Sequence, residues 1–197
     1  MNTTIAMILY FLITATIQNL VLTVGFDASL LVKLVRHPRR LLRFGVLLLI
    51  FTVATSAIFF PLDIALPDVW WGNMLRPIIL IAITCLLYVI AIAVLHTMPE
   101  QARRSRHLLP LAAFNNVVVG VGLLVNYKIS ATFFQAIGLT AGAALGFLFV
   151  AVITAEAVER LDNPDVPAAF RGLPATLVYM GLLALALMGF APVFTLA

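Results

Sequence analysis

Asn115-Asn116-Val117-Val118-Val119-Gly120-Val121-Gly122 sets two carboxamides and two glycines inside an otherwise apolar run. A counterpart, Gln18-Asn19-Leu20-Val21-Leu22-Thr23-Val24-Gly25, lies about half a chain earlier. Laid on one another without gaps, Gln18 meets Asn115, Asn19 meets Asn116 and Gly25 meets Gly122. Polar side chains are costly in hydrocarbon. Amides that recur at matching points of two halves therefore point to an internal repeat with a working site at mid-membrane.

Outward from these segments the chain reads as a polytopic membrane protein. It has 197 residues, is 63% hydrophobic and 10% charged, and its mean hydropathy is +1.14. A soluble domain of this size needs no such apolar surface. Six apolar runs, roughly 4–26, 42–62, 75–96, 108–126, 131–156 and 174–196, approach the ~20 residues that cross ~30 Å of hydrocarbon. The expected fold is one all-α transmembrane domain over 1–197, in two inverted three-helix repeats of about 1–98 and 99–197. The first and fourth helices are expected to be broken and to face the protein interior, because irregular backbone at that depth needs protein or a cavity to cover it. The first span has neither a basic leader nor a clear small-residue cleavage site, so it reads as a retained helix.

The charges orient the spans. Lys33, Arg36, Arg39, Arg40 and Arg43 fall between spans one and two, Arg103, Arg104 and Arg106 between three and four, and Arg160 and Arg171 between five and six. The opposite side has Arg76 and Lys128. The positive-inside rule places the three basic loops in the cytoplasm and both termini outside, in a cytoplasmic (inner) membrane of bacterial type. The net charge of +4 is thus a topology signal and not a sign of nucleic-acid binding. Trp70 and Trp71 suit an outer aromatic belt. Gly138, Gly142 and Gly146, at i, i+4 and i+8, form a flat stripe that suits close helix packing, with a substrate-lining surface as the alternative.

Groups that carry chemistry are few. His37, His96 and His107 lie near span ends with no metal-ligand spacing, and neither a phosphate loop nor a dinucleotide fingerprint is present. Asp63 and Asp68 read as solvated outer-loop residues. Asp27 is either a loop residue after the first span or an intramembrane cation or proton site. Glu159 with Arg160 reads as an interfacial pair of little energetic weight, and Glu156, a turn deeper, is a candidate pathway residue. The single cysteine, Cys85, excludes an internal disulfide and any site that needs two thiolates from this chain.

The segment Glu159-Arg160-Leu161-Asp162-Asn163-Pro164-Asp165-Val166-Pro167-Ala168-Ala169-Phe170-Arg171-Gly172 resembles the loop before the last helix of the Rnf/Nqr membrane subunit family. Leu109-Pro110-Leu111 with Asn115 resembles the family's entry to its fourth span, and Asn19-Leu20-Val21-Leu22 a stretch of its first. The resemblance covers nearly the whole chain and is closest to the RnfA/NqrE branch. It implies six helices in two inverted repeats, pairing with a homologous six-helix subunit, and a [2Fe–2S] cluster to which each partner gives two cysteines. It also implies membership of a complex that couples redox chemistry to sodium or proton movement. Here the cysteine positions fall at Asn116 and at Asp27 or Ser29, and Cys85 matches neither. Amide and hydroxyl groups are poor substitutes for thiolate on iron, so no cofactor or metal is expected on this chain alone.

The expected function is that of a membrane subunit of a redox-driven ion translocase, acting as scaffold or ion path and at most as an electron path. Gln18, Asn19, Asp27, Asn115 and Asn116 would line a midplane ion or substrate path, and Glu159, Arg160, Asp165, Pro167, Arg171 and Gly172 form the family loop motif. Expected partners are lipid, a homologous subunit with other Rnf/Nqr-like subunits, or a second copy of the chain. A stand-alone small-solute or ion transporter is the alternative. A cluster held by Asp27 with Cys85 is the remaining reading. The amides have a plainer role open to them, which is to cap broken helix ends.

Overall fold

A computed structural model describes residues 3–16, 30, 34, 38–67, 69–97, 106–124, 132–161, 167 and 171–188. These form helices α1 (Thr3–Thr16), α2 (Pro38–Ala65), α3 (Trp70–Thr97), α4 (Leu109–Ala113, entered through a 3₁₀ turn at Arg106–Leu108), α5 (Asn116–Leu124), α6 (Phe133–Leu161) and α7 (Leu173–Met188). No strand occurs among the described residues. With α4 and α5 taken as one interrupted span, the described residues hold six apolar helical segments. Four of them, Arg39–Ala65, Trp70–Thr97, Arg106–Leu124 and Phe133–Arg160, are long and apolar enough to cross a membrane.

α2 and α3 overrun the apolar runs that mark them, 42–62 and 75–96. A 28-residue helix such as α2 or α3 spans about 42 Å, more than the hydrocarbon requires. Internal hydrogen bonding keeps the backbone helical into the headgroup layer. Arg39, Arg40 and Arg43 consequently stand in the first turns of α2, and Trp70 and Trp71 in the first turn of α3, where the sequence places them in loops. Asp63 is likewise not a solvated loop residue. It sits in the last turn of α2 and accepts a 2.7 Å hydrogen bond from Arg76 Nε of α3, both side chains being about nine-tenths buried. Arg76 Nη1 also donates to Asn73 Oδ1 one turn back on α3, which holds the guanidinium toward Asp63, and the Asp63–Arg76 pair pins the two helix ends together. The start of α6 is set by Thr132 and Gln135, whose Oε1 accepts from the Thr132 N–H at 3.2 Å, the return half of a capping box.

α2 and α6 pack at the centre. Phe44 meets Phe147 at 5.6 Å between ring centroids and Phe60 meets Phe133 at 6.0 Å, so the two helices are antiparallel. Each such ring pair adds ~0.5–1.5 kcal/mol beyond simple burial. α1 lies on α6 where the glycine stripe admits it: a Cβ on Gly138 would stand 2.5 Å from the Met7 carbonyl oxygen, and one on Gly142 2.5 Å from that of Phe11. Both numbers rise together, so α1 and α6 are parallel. The packing reading of Gly138 and Gly142 is therefore the observed one. Phe59 clusters with Leu80 and Ile83, and Asp63 with Arg76, so α3 runs back along α2. Tyr88 meets Phe114 at 5.3 Å and Leu80 abuts Gly122, so α4 and α5 run against α3 and parallel to α2.

Candidate functional site at the interrupted fourth span

The break in the fourth span is built from a few local choices. Pro110 fits the first turn of α4, where its missing N–H costs nothing. The Phe114 N–H still reaches the Pro110 carbonyl at 3.1 Å, but Phe114 leaves helical geometry at φ −94°, ψ 31° and α4 stops. Asn115 then starts a new helix. Its Oδ1 accepts from the Val117 N–H at 2.7 Å, and its carbonyl accepts from Val118 and Val119 at 3.0 and 3.3 Å. This is an N-cap, in which a side-chain oxygen satisfies one of the first orphan N–H donors of a helix. Asn115 is the central residue of the 19-residue span Arg106–Leu124, so the break lies at its midpoint.

The two adjacent amides part company. Asn115 is 2% exposed, and its Nδ2 has no hydrogen-bond partner. Asn116, one residue and about 100° further round the helix, is exposed on the surface of the chain. Asn115 faces the interior and Asn116 the surface of the chain. Gln18, Asn19, Asp27 and Ser29 lie outside the described residues. Cys85 is exposed on α3, on the face with Ile78, Ile81, Leu86 and Val89 and opposite the buried Leu80, Ile83 and Thr84. Among the described residues no three His, Cys, Asp or Glu side chains gather in a metal-binding group.

The loop motif is only partly described. Glu159 and Arg160 are exposed in the last turns of α6, Pro167 and Arg171 are exposed, and Asp165 lies outside the described residues. Gly172 has φ 78°, a left-handed conformation that favours glycine, and its carbonyl accepts from both the N–H and the Oγ1 of Thr176. The motif's glycine thus has a backbone reason: it turns the chain into α7. Glu156 lines a groove of about 450 Å³ between α6 and α7, with Val152, Ile153, Ala157, Arg160 and Tyr179. His96 and Arg106 line a smaller one of about 220 Å³ with Ile92 and Leu95.

Sequence reasoning passes over the hydroxyls of α2. Thr52, Thr55 and Ser56 are at most 2% exposed, at i, i+3 and i+4 on one face. That spacing is the signal that was there to read, and it is faint because threonine and serine are common in membrane helices.

Residues 1–194 match the Rnf-Nqr family, described as "Rnf-Nqr subunit, membrane protein". The chain belongs to the Rnf-Nqr family. Among curated relatives, the A component of the ion-translocating oxidoreductase complex of Erwinia tasmaniensis is 38% identical over 133 residues, covering 62% of this chain and 68% of that protein. The protein of the same name from Yersinia pseudotuberculosis is 38% identical over 142 residues, covering 66% and 73%. That of Colwellia psychrerythraea is 36% identical over 126 residues, covering 59% and 65%. Membership agrees with the resemblance read from the loop and the fourth span, and with the RnfA/NqrE branch. The interrupted fourth span is therefore a feature of an Rnf-Nqr membrane subunit, and its exposed Asn116 stands where the resemblance places a family cysteine.

Proposed function

We propose that this chain is an integral subunit of an Rnf/Nqr-type ion-translocating oxidoreductase complex, and that its α4–α5 break packs against a homologous six-helix subunit. The observation that carries this reading is the exposure of Asn116 at the centre of a membrane span. An exposed polar side chain at that depth suits a face covered by protein and not by lipid. The relatives are named as one component of an oxidoreductase complex, which supplies the kind of neighbour.

Packing supports an inverted repeat. The alignment that lays Gln18 on Asn115 lays α2 on residues 135–162, against the observed Phe133–Leu161. The contacts repeat in the same sense: α1 packs on α6 as α4 and α5 pack on α2, α3 packs on α2 as α7 packs on α6, and α2 packs on α6 between them. α1 and α4 run in opposite directions, as inversion requires. On this reading and the positive-inside rule, Arg39, Arg40 and Arg160 lie in the cytoplasm of a bacterial-type cell, and both termini on the other side.

The donor set at the break does not suit an iron–sulfur half-site. Asn116 presents a neutral amide where a thiolate would be needed, and Cys85 faces away on another helix. No electron step is assigned to this chain, and its role in the complex is scaffold and ion path. The same amide favours a second reading, a stand-alone transporter that keeps the fold without the redox task. Affinity purification from native membranes in mild detergent, read by mass spectrometry and by iron and flavin content, separates the two. Co-purifying homologous and flavin-bearing subunits support the complex. A lone colourless protein or homodimer overturns it.

A further inference from the structure

The last turns of α6 present a carboxylate and a guanidinium that pair with nothing among the described residues. Glu156 and Arg160 are four positions apart on one face, and both are exposed. Such spacing suits an ion pair on a helix surface. Neither Glu156 nor Glu159 forms one with Arg160, and no side-chain hydrogen bond joins Glu156 or Arg160 to another described residue.

The two charges line a groove instead. It lies between α6 and α7 and holds about 450 Å³, within the ~300–1,000 Å³ of small-ligand sites. Val152, Ile153 and Ala157 give it an apolar wall on α6, and the half-buried Tyr179 brings a phenol from α7. The span Phe133–Arg160 has 28 residues, or about 42 Å of helix, against ~30 Å of hydrocarbon. Centred in a bilayer, it carries about 6 Å, or one turn, beyond the hydrocarbon at each end. Glu156 then stands at the hydrocarbon edge and Arg160 one turn out, at headgroup depth. The groove thus runs from acyl-chain depth, at Val152 and Ile153, to the headgroup layer.

We propose that this groove binds a zwitterionic phospholipid with a primary ammonium, of the phosphatidylethanolamine type. Charge complementarity selects it. The Arg160 guanidinium matches the phosphate, and the Tyr179 hydroxyl adds a second donor from the other helix. The Glu156 carboxylate accepts from the ammonium, which carries three N–H donors as a lysine head does. A choline headgroup has the positive charge but no N–H to give. An anionic glycerol headgroup has no cation for Glu156 and meets it as a like charge. The acyl chains cover Val152, Ile153 and Ala157. The site needs only this chain and a bilayer, so it does not rest on the complex proposed above.

Native mass spectrometry of the detergent-purified full chain tests this, with an equimolar mixture of phosphatidylethanolamine, phosphatidylcholine and phosphatidylglycerol of identical acyl chains. The wild type retains one lipid per chain, the ethanolamine form about five-fold more than either competitor, the worth of a well-placed charge pair in a partly hydrated setting. Glu156→Gln brings the ethanolamine and choline forms to near parity, and Arg160→Gln lowers all three. Both residues are exposed, so the two variants fold as the wild type does and their thermal midpoints in lipid-free detergent match it. Equal retention of ethanolamine and choline lipids by the wild type overturns the proposal. So does a preference that survives Glu156→Gln, or binding untouched by Arg160→Gln. Dominance of phosphatidylglycerol would mean a plain basic site, and a wild type without bound lipid would mean that protein covers the groove; either result overturns it as well.

Discussion

Alanine placed at three glycines gives three different results, and the order follows from what each new methyl meets. At Gly142 the Cβ would stand 2.5 Å from the Phe11 carbonyl oxygen and 3.1 Å from its Cα, where ordinary contact begins near 3.4 Å. The obstacle is backbone, so no rotamer relieves it and α1 must retreat by about 0.9 Å. A gap of that size forfeits a quarter to a half of the dispersion well for the atoms it separates, and overpacking of this kind costs ~1–3 kcal/mol. Better helix propensity returns at most ~1 kcal/mol. Gly142→Ala is therefore destabilised by up to ~2 kcal/mol, and Gly142→Val, larger and with less propensity gain, by ~2–3 kcal/mol. At Gly45 the Cβ meets the Leu148 Cδ1 at 2.6 Å, the end of a flexible side chain, so Gly45→Ala stays closer to wild type. At Gly181 nothing lies within 4 Å, and Gly181→Ala is neutral or gains up to ~1 kcal/mol. The assay is thermal unfolding of the detergent-purified chain, at ~2–4 °C per kcal/mol for this length. Gly142→Ala as stable as Gly181→Ala would refute the close approach of α1 to α6.

Asp63→Asn weakens the pin between α2 and α3 by ~1.5–3 kcal/mol, as expected for a largely buried charge-assisted bond. In the same thermal assay Asp63→Ala with Arg76→Ala together costs less than the sum of the single changes, and simple additivity would deny the coupling. Asn115→Ala removes the α5 cap and lowers stability by ~0.5–2 kcal/mol, while Asn115→Ser retains much of it; equal losses in the two variants would argue against capping. Asn116→Leu leaves insertion and the thermal midpoint near wild type. It impairs ion movement and reduces co-purification of a homologous subunit, and full retention of both would free Asn116 of any interface role. Cysteines at Arg40 and Arg160 in a Cys85→Ala background are labelled from the cytoplasmic side only, and labelling from outside would invert the topology.

The apolar runs and their number were legible because each must supply about twenty residues of hydrocarbon-compatible surface, a demand the bilayer writes directly into composition. The break at Asn115 was legible for a related reason. An amide followed by a β-branched run cannot sit silently in a membrane helix, and the observed N-cap is the plainest way to satisfy it. The family loop was legible through its motif from Glu159-Arg160-Leu161 to Arg171-Gly172, and the structure adds a reason for its last residue, the left-handed backbone of Gly172. Helix ends were not legible: Arg39, Arg40, Arg43, Trp70 and Trp71 look like loop residues because polarity marks the edge of hydrocarbon and not the end of hydrogen bonding. Asp63 and Arg76 are thirteen positions apart, and nothing in either residue announces the other.

From the order of its residues alone, this chain is a six-segment membrane protein with an interrupted fourth span and a recognisable family loop. Those properties depend on solvation, local backbone geometry and neighbours a few positions away. Which of Asn115 and Asn116 faces inward, which glycines admit another backbone, and where Thr55 and Ser56 are buried depend on how the helices are rotated and paired. Rotation and pairing arise from contacts between segments far apart in the chain: α1 on α6, α2 on α6, and α5 between α2 and α3. A carboxamide reads the same in sequence on either side of a helix. Only packing turns one into a buried cap and leaves its neighbour at the surface.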